Sequence, residues 1–278
     1  MNSRERVLST IKRQSIDRVP YDFWAENTTL EKIYQTVGHR NIESLLKDFH
    51  VDLRHIEATM PEEINYGNFF QNFWGERYIY KQTQWGPVRE DMKGALYDVN
   101  SIEDIKIFYW PSPDSFDYSN LKNLCAINNE YAIMYGFADI WQRPALIRGM
   151  QNALMDLVLN PDWVHFLSRK FTDFYKEDYT RAQKASDGRI DILDPIQPIC
   201  ENMKPENLAK SFGNRICFHG GIDIQNLLPC GTPEDVKREV IHYANILGKN
   251  GGYISCPAHL FQPDIPVENI FAFYNALV

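Results

Sequence analysis

The sequence predicts a parallel α/β fold, a barrel of strands ringed by helices. Short apolar runs alternate with amphipathic stretches along the chain, which is the pattern of a parallel sheet with helices outside it. The last third repeats strand, turn and capped helix. Neither G-x-G-x-x-G after the first strand nor G-x-x-x-x-G-K-S/T occurs. Their absence counts against the dinucleotide-binding and P-loop forms of the open sheet and favours the eightfold barrel.

Ser3 caps a short helix in which Val7, Leu8 and Ile11 share a face. Val19-Pro20-Tyr21-Asp22-Phe23-Trp24 is the first strand, helical patterns follow near 28–37 and 41–49, and 51–57 alternates with period two as the second strand. Residues 62–110 carry Gly67, Gly75, Gly86-Pro87 and Gly94 around Tyr78-Ile79-Tyr80, a hairpin insertion within one domain spanning 1–278. The third strand is 132–137. One helix follows with Leu146, Met150, Leu154, Leu157 and Val158 on one face. Another starts at Asn160-Pro161-Asp162 with the stripe Val164, Leu167, Phe171, Phe174, Tyr175 and Ala182. A strand at 190–194, a helix from Pro205 to Phe212 and a strand at 215–218 come next. Thr232-Pro233-Glu234-Asp235 then opens a helix that Gly248 stops. A strand at 252–256 and a helix from Pro266 to Leu277 close the chain, making six main strands.

The 278 residues carry a formal net charge of −8, which disfavours an extended nucleic-acid surface. No apolar run approaches the roughly 20 residues of a membrane span, and no signal-peptide core precedes the first strand. The expected compartment is therefore the cytoplasm, where the five cysteines stay as free thiols. Aromatic residues make up 13% of the chain. Either they pack a core and an interface, or some of them stack on a flat ligand.

Ligands of parallel α/β folds sit at the C-terminal ends of the strands. That places Glu57, the Asp194-Pro195-Ile196-Gln197-Pro198 turn, His219-Gly220-Gly221-Ile222-Asp223 and Pro257-Ala258-His259 at a common mouth. Each has a plainer reading. A strand-end histidine can serve backbone carbonyls, Asp223 can cap the following turn, Asp194 before proline suits a turn, and Glu57 can lie at the solvent edge. Cys217, His219, Cys256 and His259 come from adjacent strands, but no H-x-C or C-x-x-C pair joins them.

FHGGIDIQNLLPCGTPEDVKREV and GGYISCPAHLFQPDIPVENIFAFYNAL, together with SRERVL, DRVPYDFW and LIRGMQNALMDLVL, occur in one order along nearly the whole chain. In this the sequence resembles the uroporphyrinogen decarboxylase superfamily. The resemblance implies a (βα)8, TIM-barrel-like fold. It also implies one of two chemistries: decarboxylation in porphyrin biosynthesis, or zinc-dependent methyl transfer linked to a corrinoid protein. His259 matches the histidine of the last strand–helix loop. The R-Q-A-G-R arginine pair of the decarboxylases has no counterpart, since Phe23-Trp24-Ala25-Glu26-Asn27 stands there. Gly188-Arg189-Ile190-Asp191-Ile192-Leu193-Asp194-Pro195 runs together two strands that relatives hold apart. About two βα units are thereby missing, and the barrel is expected to be incomplete or distorted. The H-x-C zinc pair would fall in the missing part, so the resemblance implies an incomplete zinc site and no resident cofactor.

The resulting expectation is a methyltransferase-like enzyme with catalytic candidates His259, His219 and Glu57. The substrate-binding candidates are Asp223, Gln197, Gly220, Gly221 and Trp24. The alternatives are the decarboxylase and a non-catalytic protein that binds a tetrapyrrole or a partner. The expected partners are a small-molecule or tetrapyrrole ligand, a corrinoid protein and a second copy of the chain, with no nucleic acid or membrane.

Overall fold

A computed structural model describes residues 1–84, 86–136, 138–191, 204–213 and 216–278. The chain divides into two compact units. The first is Met1–His55 with Ile127–Met134 and Asp191–Val278, and the second is Ile56–Ala126 with Tyr135–Ile190.

In the first unit the strands lie side by side in parallel. Phe218–Ile222 pairs with Tyr253–Pro257 from Phe218↔Tyr253 to Ile222↔Pro257. The segment around Tyr21 comes next. Pro20 interrupts its ladder, so it pairs through isolated parallel bridges, with Ser255 on one side and Val51 on the other. Asp22 N–H donates to the Ser255 carbonyl at 3.0 Å, and Asp52 N–H donates to the Tyr21 carbonyl at 2.9 Å. Strand Leu53–Ile56 then pairs with Ala132–Tyr135. Hydrogen bonds from Ala132 N–H to Asp52 O and from Gly136 N–H to Ile56 O keep the even offset of a parallel register. Asp191 N–H reaches the Ile133 carbonyl at 2.9 Å. The rest of the strand expected at 190–194, including Ile192, lies outside the described residues. This is an arc of a TIM-barrel-like fold with short, incomplete ladders.

The inner face of the arc is filled by Leu53, Ala132, Met134 and Ile254, against which Val7 of helix Ser3–Ile11 packs. Met134 of this layer is fully buried, with the N-terminal helix packed over it. The outer face packs Tyr21, Phe23, Phe49, Phe261, Phe273 and Tyr274 with the stripes of helices Pro233–Leu247 and Val267–Tyr274. Many of the aromatic residues therefore build core, with Phe49 and Tyr274 stacked at 4.5 Å.

Three local expectations are corrected. Asn2, not Ser3, caps the first helix, because Asn2 Oδ1 accepts from Glu5 N–H while Glu5 Oε2 accepts from Asn2 N–H. The strand expected at 215–218 runs over Phe218–Ile222. Gly220 and Gly221 adopt φ +95° and +104° yet stay paired with Ser255 and Cys256, so they belong to the strand. The helix expected through Leu146–Val158 is two, Gln142–Arg148 and Met150–Leu159, broken at Gly149. Gly149 has φ +84°, and a Cβ there would meet the Tyr97 ring at 2.4 Å. Asp156 turns inward to the Arg148 guanidinium at 2.7 Å. The shared apolar face of Met150, Leu154, Leu157 and Val158 is exposed.

In the second unit, Ile64–Asn65, Phe70–Gln71, Arg77–Thr83 and Gly86–Asp91 form an antiparallel sheet in chain order, the hairpins expected of the glycine-rich insertion. Helix Pro161–Ala185 buries Leu167, Phe171, Phe174 and Tyr175 against Trp74, Leu96 and Ile105. Among the described residues, Cys125, Cys217, Cys230 and Cys256 are unbridged, and no helix is long and apolar enough to cross a membrane.

Asp52 is the electrostatic anchor of the first unit. Its side chain is fully buried, pairs with Arg6 at 2.6 Å and Arg18 at 2.7 Å, and accepts from Tyr21 N–H at 2.9 Å. Removing one partner of a buried pair strands the other charges. We expect Asp52→Ala to lower the unfolding free energy by about 3–5 kcal/mol in denaturant melts. Arg40→Ala, which breaks the exposed contact with Glu31, should cost under about 1 kcal/mol.

Candidate active site

Above the apolar inner layer of the first unit stands a polar centre. Asp22 follows Tyr21, and its side chain is fully buried. Oδ1 accepts from Phe23 N–H at 2.8 Å and lies 2.8 Å from His55 Nε2. Oδ2 lies 2.9 Å from His219 Nε2 and accepts from Trp24 Nε1–H at 2.8 Å. The same indole N–H is 2.8 Å from His55 Nε2, and the Trp24 and His55 rings meet edge-on at 4.9 Å. Period two explains the convergence. Asp22 and Trp24 alternate on the inner face of the first segment, and His55 shares parity with the inner-layer residue Leu53. Burial alone would push the Asp22 carboxyl up, but His55 and His219 beside it outweigh that and hold it well below the usual carboxylate range.

A metal-binding donor set is also present. A carboxylate oxygen of Asp22, a ring nitrogen of His219 and Sγ of Cys256 all lie within 4.8 Å of one another. Cys256 is buried, one strand across from His219. Zinc, which the methyltransferase branch of the resemblance implies, is held by such nitrogen, oxygen and sulfur ligands, so these residues fit it. The incomplete zinc site expected from the sequence concerned the H-x-C pair; these donors come instead from three separate segments.

Of the sequence candidates, the structure brings His219 and Trp24 together around Asp22. Gly220 and Gly221 continue the His219 strand. His259 is exposed, with Gln262 Nε2 3.5 Å from its Nδ1. Asp223 caps the turn that follows it, accepting from Gln225 N–H at 2.8 Å. Gln197 lies outside the described residues. Glu57 belongs to the second unit, where it is exposed. There Asp178, itself buried, accepts from the Tyr118 and Tyr135 hydroxyls, each at 2.8 Å. Burial, helped by the Glu57 charge, pushes the Asp178 carboxyl up against these two donors. Cys217, a candidate ligand, contacts the Ile11 carbonyl at 3.5 Å. Asp22, His55 and, as a partner of Asp22, Cys256 were missed. The available signal was an acid inside the apolar run Val19–Trp24 and a histidine two residues before Glu57 on the same strand face.

The fold and this centre define an α/β barrel protein with a polar site on the inner side of its strands. Residues 193–277 match the family model for uroporphyrinogen decarboxylase (URO-D). A solved methyltransferase from Methanosarcina mazei shares the fold, with a TM-score of 0.59 at 12% identity over 99% of this chain and 98% of that one. No curated protein matches. The family match covers the C-terminal third of the chain, and the structural likeness shows the fold.

Two outcomes follow for residues at these positions. Because His259 is exposed, His259→Ala should change stability by no more than about 0.5 kcal/mol, checked by thermal melts, so any loss of ligand affinity would report contact rather than folding. Asp178 has the opposite sign to an ion-paired acid. Its folded carboxyl sits above the unfolded value, so its contribution to stability is present at low pH and fades as pH rises through the folded value. Asp178→Asn should therefore flatten the fall in stability between acid and neutral pH, read as denaturant midpoints across that range.

Proposed function

We propose that the chain is a methyltransferase-like enzyme of the uroporphyrinogen decarboxylase superfamily, working with a corrinoid carried on a separate protein, and that the Asp22 centre is its reaction site. The observation that carries this reading is the nitrogen, oxygen and sulfur donor set of Asp22, His219 and Cys256 at the inner strand surface. The fold shared with the Methanosarcina mazei methyltransferase supports it. So does the sequence after the first strand, where Phe23–Asn27 replaces the arginines that a polycarboxylate substrate would need.

Asp22, His219 and Cys256 would hold the zinc, which when bound supplies Lewis acidity toward a thiol, alcohol or amine. The chain's own residues do the rest. His55, Trp24 Nε1–H and Phe23 N–H fix the Asp22 carboxylate from three directions, so its orientation is set before a substrate arrives. The Leu53, Ala132, Met134 and Ile254 layer gives the centre an apolar floor. There, charge interactions are strengthened relative to bulk water. Methyl transfer needs a nucleophile in line with the bond from carbon to its leaving atom, and a fixed centre against a packed floor supplies that alignment.

The test is methyl transfer between methylcobalamin and thiol or amine acceptors, followed by cobalamin absorbance. We expect turnover by the native chain. Trp24→Phe removes one donor from Asp22 while keeping an aromatic wall, and should lower kcat/KM by about 10–100-fold. Carbon dioxide release from a porphyrinogen without methyl transfer would move the chain to the decarboxylases. A porphyrin or cobalamin absorbance shift without any turnover would make it a tetrapyrrole binder.

A further inference from the structure

We infer that the exposed face of helix Met150–Leu159 is a self-association surface, on which a second copy of this chain docks as a two-fold helix pair. The surface lies wholly within the second unit and is tested without turnover, so it stands or falls apart from methyl transfer.

The helix is amphipathic with its faces reversed. Asp156 is its one ionisable residue, and it is buried against the Arg148 guanidinium at 2.7 Å. Asn152 Nδ2 donates to the Tyr97 carbonyl at 2.9 Å, and Asn160 Nδ2 donates to Asp156 Oδ1 at 2.8 Å. Arg148 is itself fixed by the Leu96, Tyr97 and Val99 carbonyls. These bonds set the rotation of the helix, since any turn about its axis would strand a buried charge. At about 100° per residue, Met150, Leu154, Met155, Leu157, Val158 and Leu159 then sweep more than half of its circumference. All six are exposed, Val158 at 82% and Leu154 at 52%. Gln151 is the one exposed polar side chain of the helix.

Area and charge name the occupant. The exposed parts of these six residues come to roughly 600 Å², the top of the range of about 300–600 Å² that a monomer leaves bare. That is most of the about 800 Å² that each partner buries in a standard interface. The face holds no charge, so two copies meet there without repulsion although each chain carries a formal net charge of −8. A charged partner would find nothing on it to pair with. An apolar, methionine-bearing centre depleted of charge is instead the make-up of a homodimer interface. The helix has 10 residues, so its face is about 15 Å long. Burying all of it against itself needs an antiparallel pair with the two-fold axis near Leu154 and Met155.

The experiment is sedimentation velocity of the full chain across a concentration series. We expect the native chain to form dimers at micromolar concentration. Leu154→Glu and Leu154→Lys each place like charges beside the axis and should raise the dimer dissociation constant at least about 30-fold. Mixing the two variants in equal amounts turns repulsion into attraction and should restore association. Ile107→Glu, at an exposed position on another helix, should leave the dimer intact. Should a Leu154 variant fail to fold, Gln151→Glu and Gln151→Lys repeat the mixing test at a side chain that is already polar and exposed. A native chain that stays monomeric at about 100 μM, charged variants that dimerise as tightly as the native chain, or a mixture that stays monomeric would each overturn the surface. Native monomers that float with phosphatidylcholine vesicles would overturn it too, in favour of a lipid-binding face.

Discussion

The first unit depends on the short segment around Tyr21. It is too interrupted by Pro20 to be a regular strand, yet it is the seam between the Tyr253 and Leu53 strands. Its backbone is held on one side by Ser255 and on the other by Asp52, whose carboxylate also replaces a missing ladder partner by accepting from Tyr21 N–H. Two arginines neutralise that carboxylate, and the Tyr21 hydroxyl reaches the Phe273 carbonyl in the last helix at 3.0 Å. A side chain here does the work of a sheet hydrogen bond, which ties the position of Asp22 to a buried ion-pair network just before the strand that carries His55.

The same seam explains how a fully buried carboxylate stays ionised. Desolvation of Asp22 opposes its charge, and the His55 and His219 imidazoles beside it reverse that balance. The outer face is packed by aromatic and aliphatic side chains together, while the Asp22 centre lies on the inner face. Sheet pleating separates the two: Tyr21 and Phe23 point to the outer core and Asp22 and Trp24 to the site, with one register for both.

Much of this was legible in residue order, and the failures have physical causes. The Thr232–Asp235 cap, the Pro205–Phe212 helix and the strands at 53–56, 132–135 and 253–257 follow from local chemistry that tertiary contacts do not alter. Apolar spacing over Met150–Leu159 reports only which face could be buried; the Arg148–Asp156 pair, a contact made in three dimensions, turns the other face inward. Two glycines after His219 fit a turn or a strand equally well in sequence; the register with Ser255 and Cys256, set by the neighbouring strand, decides for the strand. His219 and Trp24 could be picked out by position. Asp22 could not, because an acid in an apolar run has no local pattern and acquires its meaning only from His55 and His219.

The polar centre draws Asp22 and His55 from the first part of the chain and His219 and Cys256 from the last. During synthesis the early pair emerges long before its partners. Until the strand carrying Cys256 has docked beside the Tyr21 segment, no grouping of donors exists to capture an ion or a substrate. Assembly of the centre therefore waits for the segments that carry His219 and Cys256, and a chain without them would hold Asp22 and His55 without the partners that give them chemical purpose.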